Sequence, residues 1–314
     1  MSAPAEFFTI VLSVFLFLVA ATALGEGLRK RFDADGRNAL IETLLARVNA
    51  WWAMAIGLTL TIIIGRGAVV VLFAVISFAA LREFLTLTRK AKADHWALLA
   101  SFFVILPVQY VSIWMNWYGF YAIFIPVYAF LFLPVLSVMR GDTKGFLARV
   151  SETQWALMIT VFAGSHVPAL LWLDIPGYGG KDMMLIFFLI LVVQGSEIMQ
   201  YVFGHFFGRT KINKNIERSR TWEGAIGGVV SGVIIAALLS WAMPFGTVGA
   251  LTLGLLLALF GFFGSTVMRA IKRDRGVHDW GDVIPGQGGF IDRLDSLLFA
   301  APMFFHLVRF FYAA

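Results

Sequence analysis

One polar stretch interrupts an otherwise apolar sequence near its C-terminal end. From Ser265 to Ser296 it reads STVMRAIKRDRGVHDWGDVIPGQGGFIDRLDS. Asp292 and Asp295 are three apart, so they share a face if a helix begins near Phe290. Hard carboxylate oxygens in that setting suit Mg²⁺. Lys272, Arg273 and Arg293 suit phosphate groups, the guanidinium ones in bidentate fashion. Gly286, Gly288 and Gly289, set around Gln287, permit the backbone turns and close approach that a phosphate-cradling loop needs. A divalent ion beside phosphate-binding cations is the equipment of phosphoryl or nucleotidyl transfer. A solvated loop is the alternative, but it gives no reason for such glycine density beside aspartates.

Two other polar groups stand upstream. Gln194, Ser196, Glu197 and Gln200 break an apolar run, and helical spacing puts Gln194, Glu197 and Tyr201 on one face with Gln200 beside them. An ionisable group inside a span faces a cavity or a partner. Interhelical hydrogen bonding that holds a bundle together is the other reading. The second group comprises Gly204–Arg209 and then Ser219, Arg220, Thr221 and Glu223, which open the next apolar run. Cations and hydroxyls before a helix N-terminus suit an anionic ligand. A basic loop lying on anionic lipid explains the same residues.

The elements that must position these groups are membrane helices. The 314 residues are 60% hydrophobic and 14% charged, against roughly 25% charged in an average soluble domain. Apolar runs long enough, or nearly so, to cross a bilayer are Phe7–Leu24, Trp51–Gly65, Gly67–Leu81, Trp96–Trp114, Phe120–Met139, Gln154–Leu173, Met183–Phe203, Gly224–Pro244, Gly249–Met268 and Leu297–Tyr312. The fold class is therefore all-α, a polytopic bundle of about nine to ten transmembrane helices. Only Arg66 splits the second and third runs, which leaves the count at nine or ten. The first run reads as a retained span and not a signal peptide, because Arg29, Lys30 and Arg31 follow its apolar core. Leu40–Val48 reads as an interfacial amphipathic helix.

Charge placement sets the orientation. Of the 25 Lys and Arg residues, 22 fall in the connections after runs one, three, five, seven and nine, with only Arg66, Lys181 and Arg309 elsewhere. The positive-inside rule puts those connections, and the polar stretch, in the cytoplasm. The formal charge of +6 then belongs beside anionic membrane lipids, and no nucleic acid is expected as a partner. With no cysteine in the chain, disulfides and thiolate metal sites are excluded. Residues 1–150 are read as N-terminal helices, and 151–314 as the region that carries the chemistry.

The polar stretch resembles the signature of the phosphatidate cytidylyltransferase (CDP-diacylglycerol synthase) family, S-x-x-K-R-x-x-x-x-K-D-x-G-x-x-[LI]-P-G-H-G-G-x-x-D-R-x-D-S. It matches at Lys272, Arg273, Asp279, Gly281, Ile284, Pro285, Gly286, Gly288, Gly289, Asp292, Arg293, Asp295 and Ser296. Glu217–Gly224 resembles the family's S-P-x-K-T-W-E-G, and Glu197–Gly208 resembles D-x-x-A-Y-x-x-G-R-x-F-G. The resemblance implies an integral enzyme of the bacterial inner membrane with its site facing the cytoplasm. It would join CTP to phosphatidate or a related lipid phosphate, giving CDP-diacylglycerol and pyrophosphate with Mg²⁺ and often K⁺. By that resemblance Asp292, Lys272, Arg273, Arg293 and Asp279 are the catalytic candidates. Ser219, Arg220, Thr221, Glu223, Gly286, Gln287, Gly288, Gly289 and Glu197 are the substrate-binding candidates.

This chain departs from the family pattern at charged positions. Ser265 stands where the family has a metal-binding carboxylate, Arg269 replaces a serine, His278 a lysine, Gln287 a histidine and Glu197 an aspartate. Asp292 and Asp295 are then the expected metal ligands, with Ser265 and Glu197 sharing the duty of the missing carboxylate. A degenerate relative that binds lipid or a partner without turnover is the alternative function, and a transporter is a third. A homodimer is left open.

Overall fold

A computed structural model describes residues 5–32, 39–88, 91–139, 141–213, 217–281 and 288–313. Among them are ten helices: α1 (Ala5–Phe32), α2 (Ala39–Ile64), α3 (Arg66–Thr86), α4 (Lys92–Trp114), α5 (Tyr118–Val138), α6 (Phe146–Trp172), α7 (Met183–Phe206), α8 (Trp222–Ala242), α9 (Gly246–Asp274) and α10 (Phe290–Tyr312). Nine are long and apolar enough to cross a membrane, and the apolar part of α2, Val48–Ile64, is shorter. A bilayer offers no water to backbone N–H and C=O groups, so a chain this apolar satisfies them within helices.

The boundaries differ from the sequence reading in three places. Leu40–Val48 is not a separate interfacial helix; it runs without a break into α2, and Ile41, Leu45 and Val48 are buried. Its apolar stripe therefore packs inward. The last two helices reach further than their apolar runs, α9 on to Asp274 and α10 back to Phe290. The extensions carry Arg269, Lys272, Arg273, Asp292, Arg293 and Asp295 on helix, as anticipated for Asp292 and Asp295. A small antiparallel hairpin, β1 (Lys211–Asn213) and β2 (Glu217–Thr221), joins α7 to α8. Its strands are too short and too polar to show a period-2 signal in the sequence.

Ion pairs place the charged connections. On the face where the Lys- and Arg-rich segments gather, Arg149 Nε donates to Asp94 Oδ2 at 2.8 Å and Arg275 Nη2 to Glu152 Oε1 at 2.8 Å. These contacts join the starts of α4 and α6 and the end of α9. On the other face Arg66 Nη2 meets Asp182 Oδ2 at 2.5 Å, and Lys181 Nζ meets Glu6 Oε1 at 2.5 Å. Two of the three cations outside the basic connections are thus neutralised by acids beside them. The third, Arg309, lies over the Tyr118 ring at 3.8 Å.

The Arg149–Asp94 pair is buried, with side chains 7% and 3% exposed, and Arg149 also donates to the carbonyls of Lys144 and Asp142. Removing one partner of such a pair strands the other charge out of water. Arg149→Ala is expected to lower stability by about 3–5 kcal/mol. Thermal unfolding in detergent checks this, and a midpoint equal to the wild type's would refute it.

Helices α7, α8 and α9 pack closely through small residues, the usual means of helix association where lipid is as apolar as the side chains. A Cβ on Gly228 would lie 2.1 Å from Gln200 Cγ and 2.7 Å from the Ser196 carbonyl. That contact holds the polar face of α7 against its neighbours and leaves the face open toward α9 and α10.

Candidate active site

Three pieces of chain converge where the basic connections meet: the end of α7 with the hairpin, the end of α9, and the start of α10. They enclose a cavity of about 690 Å³, within the range of small-molecule sites. Its walls carry Glu197, Arg220, Arg269, Lys272, Arg273, Asp279, Asp292 and Arg293, with Gln194, Gln200, Tyr201, Thr221 and His278 between them. Counting Lys211, six cations face three carboxylates. The polar face expected on α7 does line a cavity. Gln194 fulfils the other reading as well, because its Nε2 donates across to the Arg293 carbonyl at 3.2 Å.

Asp292 is the most fully engaged carboxylate. Its Oδ1 accepts from Lys272 Nζ at 2.6 Å, and its Oδ2 accepts from the backbone N–H of Trp280 at 2.8 Å and Gly289 at 2.9 Å. The side chain is 8% exposed. It therefore performs two tasks, closing the first turn of α10 as a cap and fixing Lys272 at the cavity wall. Gly288 lies at φ +81°, and a Cβ there would sit 2.5 Å from Asp292 Oδ2. Only glycine meets both conditions.

Asp295 lies behind the wall, 4% exposed, and its Oδ1 accepts from Ser296 N at 2.7 Å and Ser296 Oγ at 3.2 Å. The same hydroxyl reaches Glu197 Oε2 at 3.0 Å. Glu197 Oε1 is also 3.7 Å from Arg269 Nη2. Ser296 thus joins the two carboxylates, and Arg269 faces one of them. Ser265 is buried on α9; its hydroxyl accepts from Arg220 Nη2 at 2.6 Å and donates to the Phe262 carbonyl at 3.2 Å. Arg220 Nη1 donates to Thr266 Oγ1 at 2.6 Å.

The other expected site residues divide. Arg273 and Asp279 line the cavity, and Arg273 Nη1 lies 3.1 Å from His278 Nδ1. Thr221 lines it too, and its hydroxyl caps α8 by accepting from Gly224 N at 3.2 Å. Glu223, expected against the substrate, instead turns its carboxylate to the hairpin and accepts from the N–H groups of Arg209 and Thr210 at 3.1 Å each. It holds the segment that leads into β1. Gly286 and Gln287 lie outside the described residues, and of Ser219 only the backbone, in β2, is described.

The sequence reading overlooked Glu83. This residue of α3 is 7% exposed and accepts from Phe290 N at 2.8 Å through Oε1 and from Ile291 N at 3.0 Å through Oε2. A Cβ on Gly289 would lie 2.4 Å from Glu83 Oε2, so only a glycine lets the loop settle on the carboxylate. Trp280 anchors the same loop by stacking on Phe84 at 4.9 Å. A carboxylate at the end of an apolar run is costly unless partnered, and that was the available signal.

The carboxylates supply the donor set for any divalent ion. Among the described residues no group of three or more His, Cys, Asp or Glu side chains is arranged to hold a metal. Glu197 and Asp295, bridged by Ser296, form a pair. Mg²⁺ is commonly bound by one or two carboxylates with substrate phosphates and water completing its shell, so Glu197, the member of this pair on the cavity wall, fits an ion that arrives with phosphates. Asp292 has less to offer, because Lys272 and two N–H groups already use its oxygens.

The sequence profile of the Cytidylyltransferase family matches residues 45–311, nearly the whole of the described bundle. The chain belongs to that family. Cytidylyltransferase-family relatives align over most or part of it. The uncharacterized protein YnbB of Escherichia coli is 38% identical over 84% of this chain and 87% of its own length. The phosphatidate cytidylyltransferase of Bacillus subtilis is 27% identical over 68% of this chain and 77% of its own. The phosphatidate cytidylyltransferase of Synechocystis is 34% identical over 37% of this chain and 40% of its own. The long match to YnbB accords with a divergent member, as the substitutions at Ser265 and Arg269 lead one to expect.

Proposed function

We propose that this cytidylyltransferase-family membrane protein transfers a cytidylyl group from CTP to phosphatidate, giving CDP-diacylglycerol and pyrophosphate. The observation that carries the reading is the cavity at the basic end of the bundle, where Arg220, Lys272, Arg273 and Arg293 face Glu197 and Asp292. Those cations suit two anionic substrates, and names among the relatives supply the substrate class.

In this reading a lipid phosphate oxygen attacks the α-phosphorus of CTP. The new O–P bond forms as the bond to the β-phosphate oxygen breaks, and pyrophosphate leaves with the electron pair. The transition state needs positioning and charge stabilisation more than covalent help. Lys272, held by Asp292, presents a fixed ammonium to a phosphate oxygen. Arg273 and Arg293 offset the charge of the substrates, and Arg220, tied to α9, bounds the opposite wall. Glu197, on the cavity wall, would hold Mg²⁺, which when bound draws negative charge from the phosphates. Asp279 completes the polar rim beside Gly288. The acyl chains stay in the bilayer. The distribution of Lys and Arg supports an inner-membrane location with this face toward the cytoplasm.

The neutral Ser265 favours a second reading, in which the cavity binds nucleotide and lipid phosphate without turnover. Release of pyrophosphate from CTP in phosphatidate-containing micelles separates the two. Phosphatidate-dependent release that CTP supports and ATP or GTP does not is the expected result. CTP binding with no release would favour the second reading.

A further inference from the structure

Gln200, on α7, stands where the family pattern has alanine, and it lines the cavity. Its stem is seated against α8, since a Cβ on Gly228 would lie 2.1 Å from Gln200 Cγ and 3.1 Å from its Cβ. Glycine at 228 thus leaves room for a side chain of this length. The half-buried carboxamide at its end makes no hydrogen bond with any described residue. Gln194, on the same helix, differs, because its Nε2 already donates to the Arg293 carbonyl. Resting on the nucleotide reading, we propose that Gln200 contacts the base of CTP, its Oε1 accepting from the 4-amino group and its Nε2 donating to ring N3.

The placement of charge on the wall supports this. Lys272, Arg273 and Arg293, which suit phosphates, come from the end of α9 and the start of α10. Glu197 turns toward α10 through Ser296, whereas Gln200 packs on α8, so α7 presents its carboxylate and its carboxamide in two directions. A nucleotide with its phosphates on the cations therefore has an uncharged polar group left for its base. Three rings, Trp51, Tyr201 and His205, line the cavity as well, and Tyr201 and His205 stack at 6.3 Å. Such rings suit a planar base, which gains from stacking whatever its identity. The hydrogen-bonding pattern separates a base from a lipid. A carboxamide carries a donor and an acceptor side by side. Cytosine matches both at once, while the ester carbonyls of a diacylglycerol only accept and would use the Nε2 alone.

The test is calorimetric titration of the detergent-purified protein in Mg²⁺ with CTP, with the CTP analogue that lacks the 4-amino group, and with inorganic tripolyphosphate. Wild type is compared with Gln200→Met, whose side chain keeps the contact with Gly228 and loses both polar atoms, and with Gln200→Ala as a second variant. Wild type is expected to prefer CTP to the analogue by about tenfold, and each variant to bind CTP about tenfold more weakly, with the preference for the amino group gone. Tripolyphosphate affinity should stay within about twofold, because the phosphate contacts are elsewhere. A preference for CTP over the analogue that survives in both variants overturns the proposal. So does a CTP affinity that neither substitution changes, and a raised KM for phosphatidate beside it would assign Gln200 to the lipid. Equal losses of CTP and tripolyphosphate overturn it too, since they report a disturbed cavity. All three results leave the nucleotide reading standing. Wild-type protein that binds tripolyphosphate but not CTP, or neither, overturns both.

Discussion

Asp292→Ala is expected to abolish turnover and to lower stability by about 3–5 kcal/mol, the cost of leaving a buried charge without its partner. Three donors lose their acceptor at once: Lys272 Nζ and the N–H groups of Trp280 and Gly289. Lys272 is only 14% exposed, so water does not readily replace the carboxylate. Asp292→Asn separates the two tasks of the side chain. Its carbonyl oxygen can still accept from the α10 N-terminus, so most of the fold's stability should remain. It cannot fix the ammonium of Lys272, so kcat is expected to fall by about 10²–10³, the loss typical of removing one preorganised charge-stabilising contact. Thermal unfolding and initial rates, measured on both variants, check the pair. An Asp292→Asn protein as unstable as Asp292→Ala would show that the charge, and not the cap, holds the loop.

The second large effect is expected at Glu83, which lies far from the polar stretch in sequence and touches it only in the fold. Glu83→Ala leaves the N–H groups of Phe290 and Ile291 without acceptors at the buried start of α10. Each unsatisfied donor costs about 1–3 kcal/mol. The loop of Gly288 and Gly289 rests on this carboxylate, so its loss also loosens Asp292 and, through it, Lys272. Glu83→Gln keeps one acceptor oxygen and is expected to recover part of both stability and rate. Proteolysis between Arg275 and Phe290, compared among wild type, Glu83→Gln and Glu83→Ala, reports the loop directly. Equal protection in all three would contradict the role given to Glu83.

Much of the bundle could be read from the sequence, because a span needs only a long apolar run and because Lys and Arg mark one face. Asp292 and Asp295 were correctly placed on a helix by their spacing, and the polar face of α7 by the pattern of Gln194, Glu197 and Tyr201. What could not be read were contacts between distant segments. Spacing within α10 could not show that Asp292 serves Lys272 and a cap together, or that Asp295 turns away from the cavity. Glu83 was hidden for the same reason, since its partners are backbone N–H groups about two hundred residues on and carry no residue type to recognise. The stripe of Leu40–Val48 was assigned to the membrane surface because an amphipathic period does not say whether lipid or protein covers it.

The proposed reaction moves the α-phosphorus of CTP onto a lipid phosphate. It is tested most directly by incubating the protein with phosphatidate, Mg²⁺ and CTP labelled either at the α- or at the γ-phosphate, then extracting lipid. The α-label is expected to enter the lipid fraction and the γ-label to stay in water as pyrophosphate, and Lys272→Met is expected to prevent both changes. γ-Label in the lipid, or α-label transfer undiminished by Lys272→Met, would contradict it.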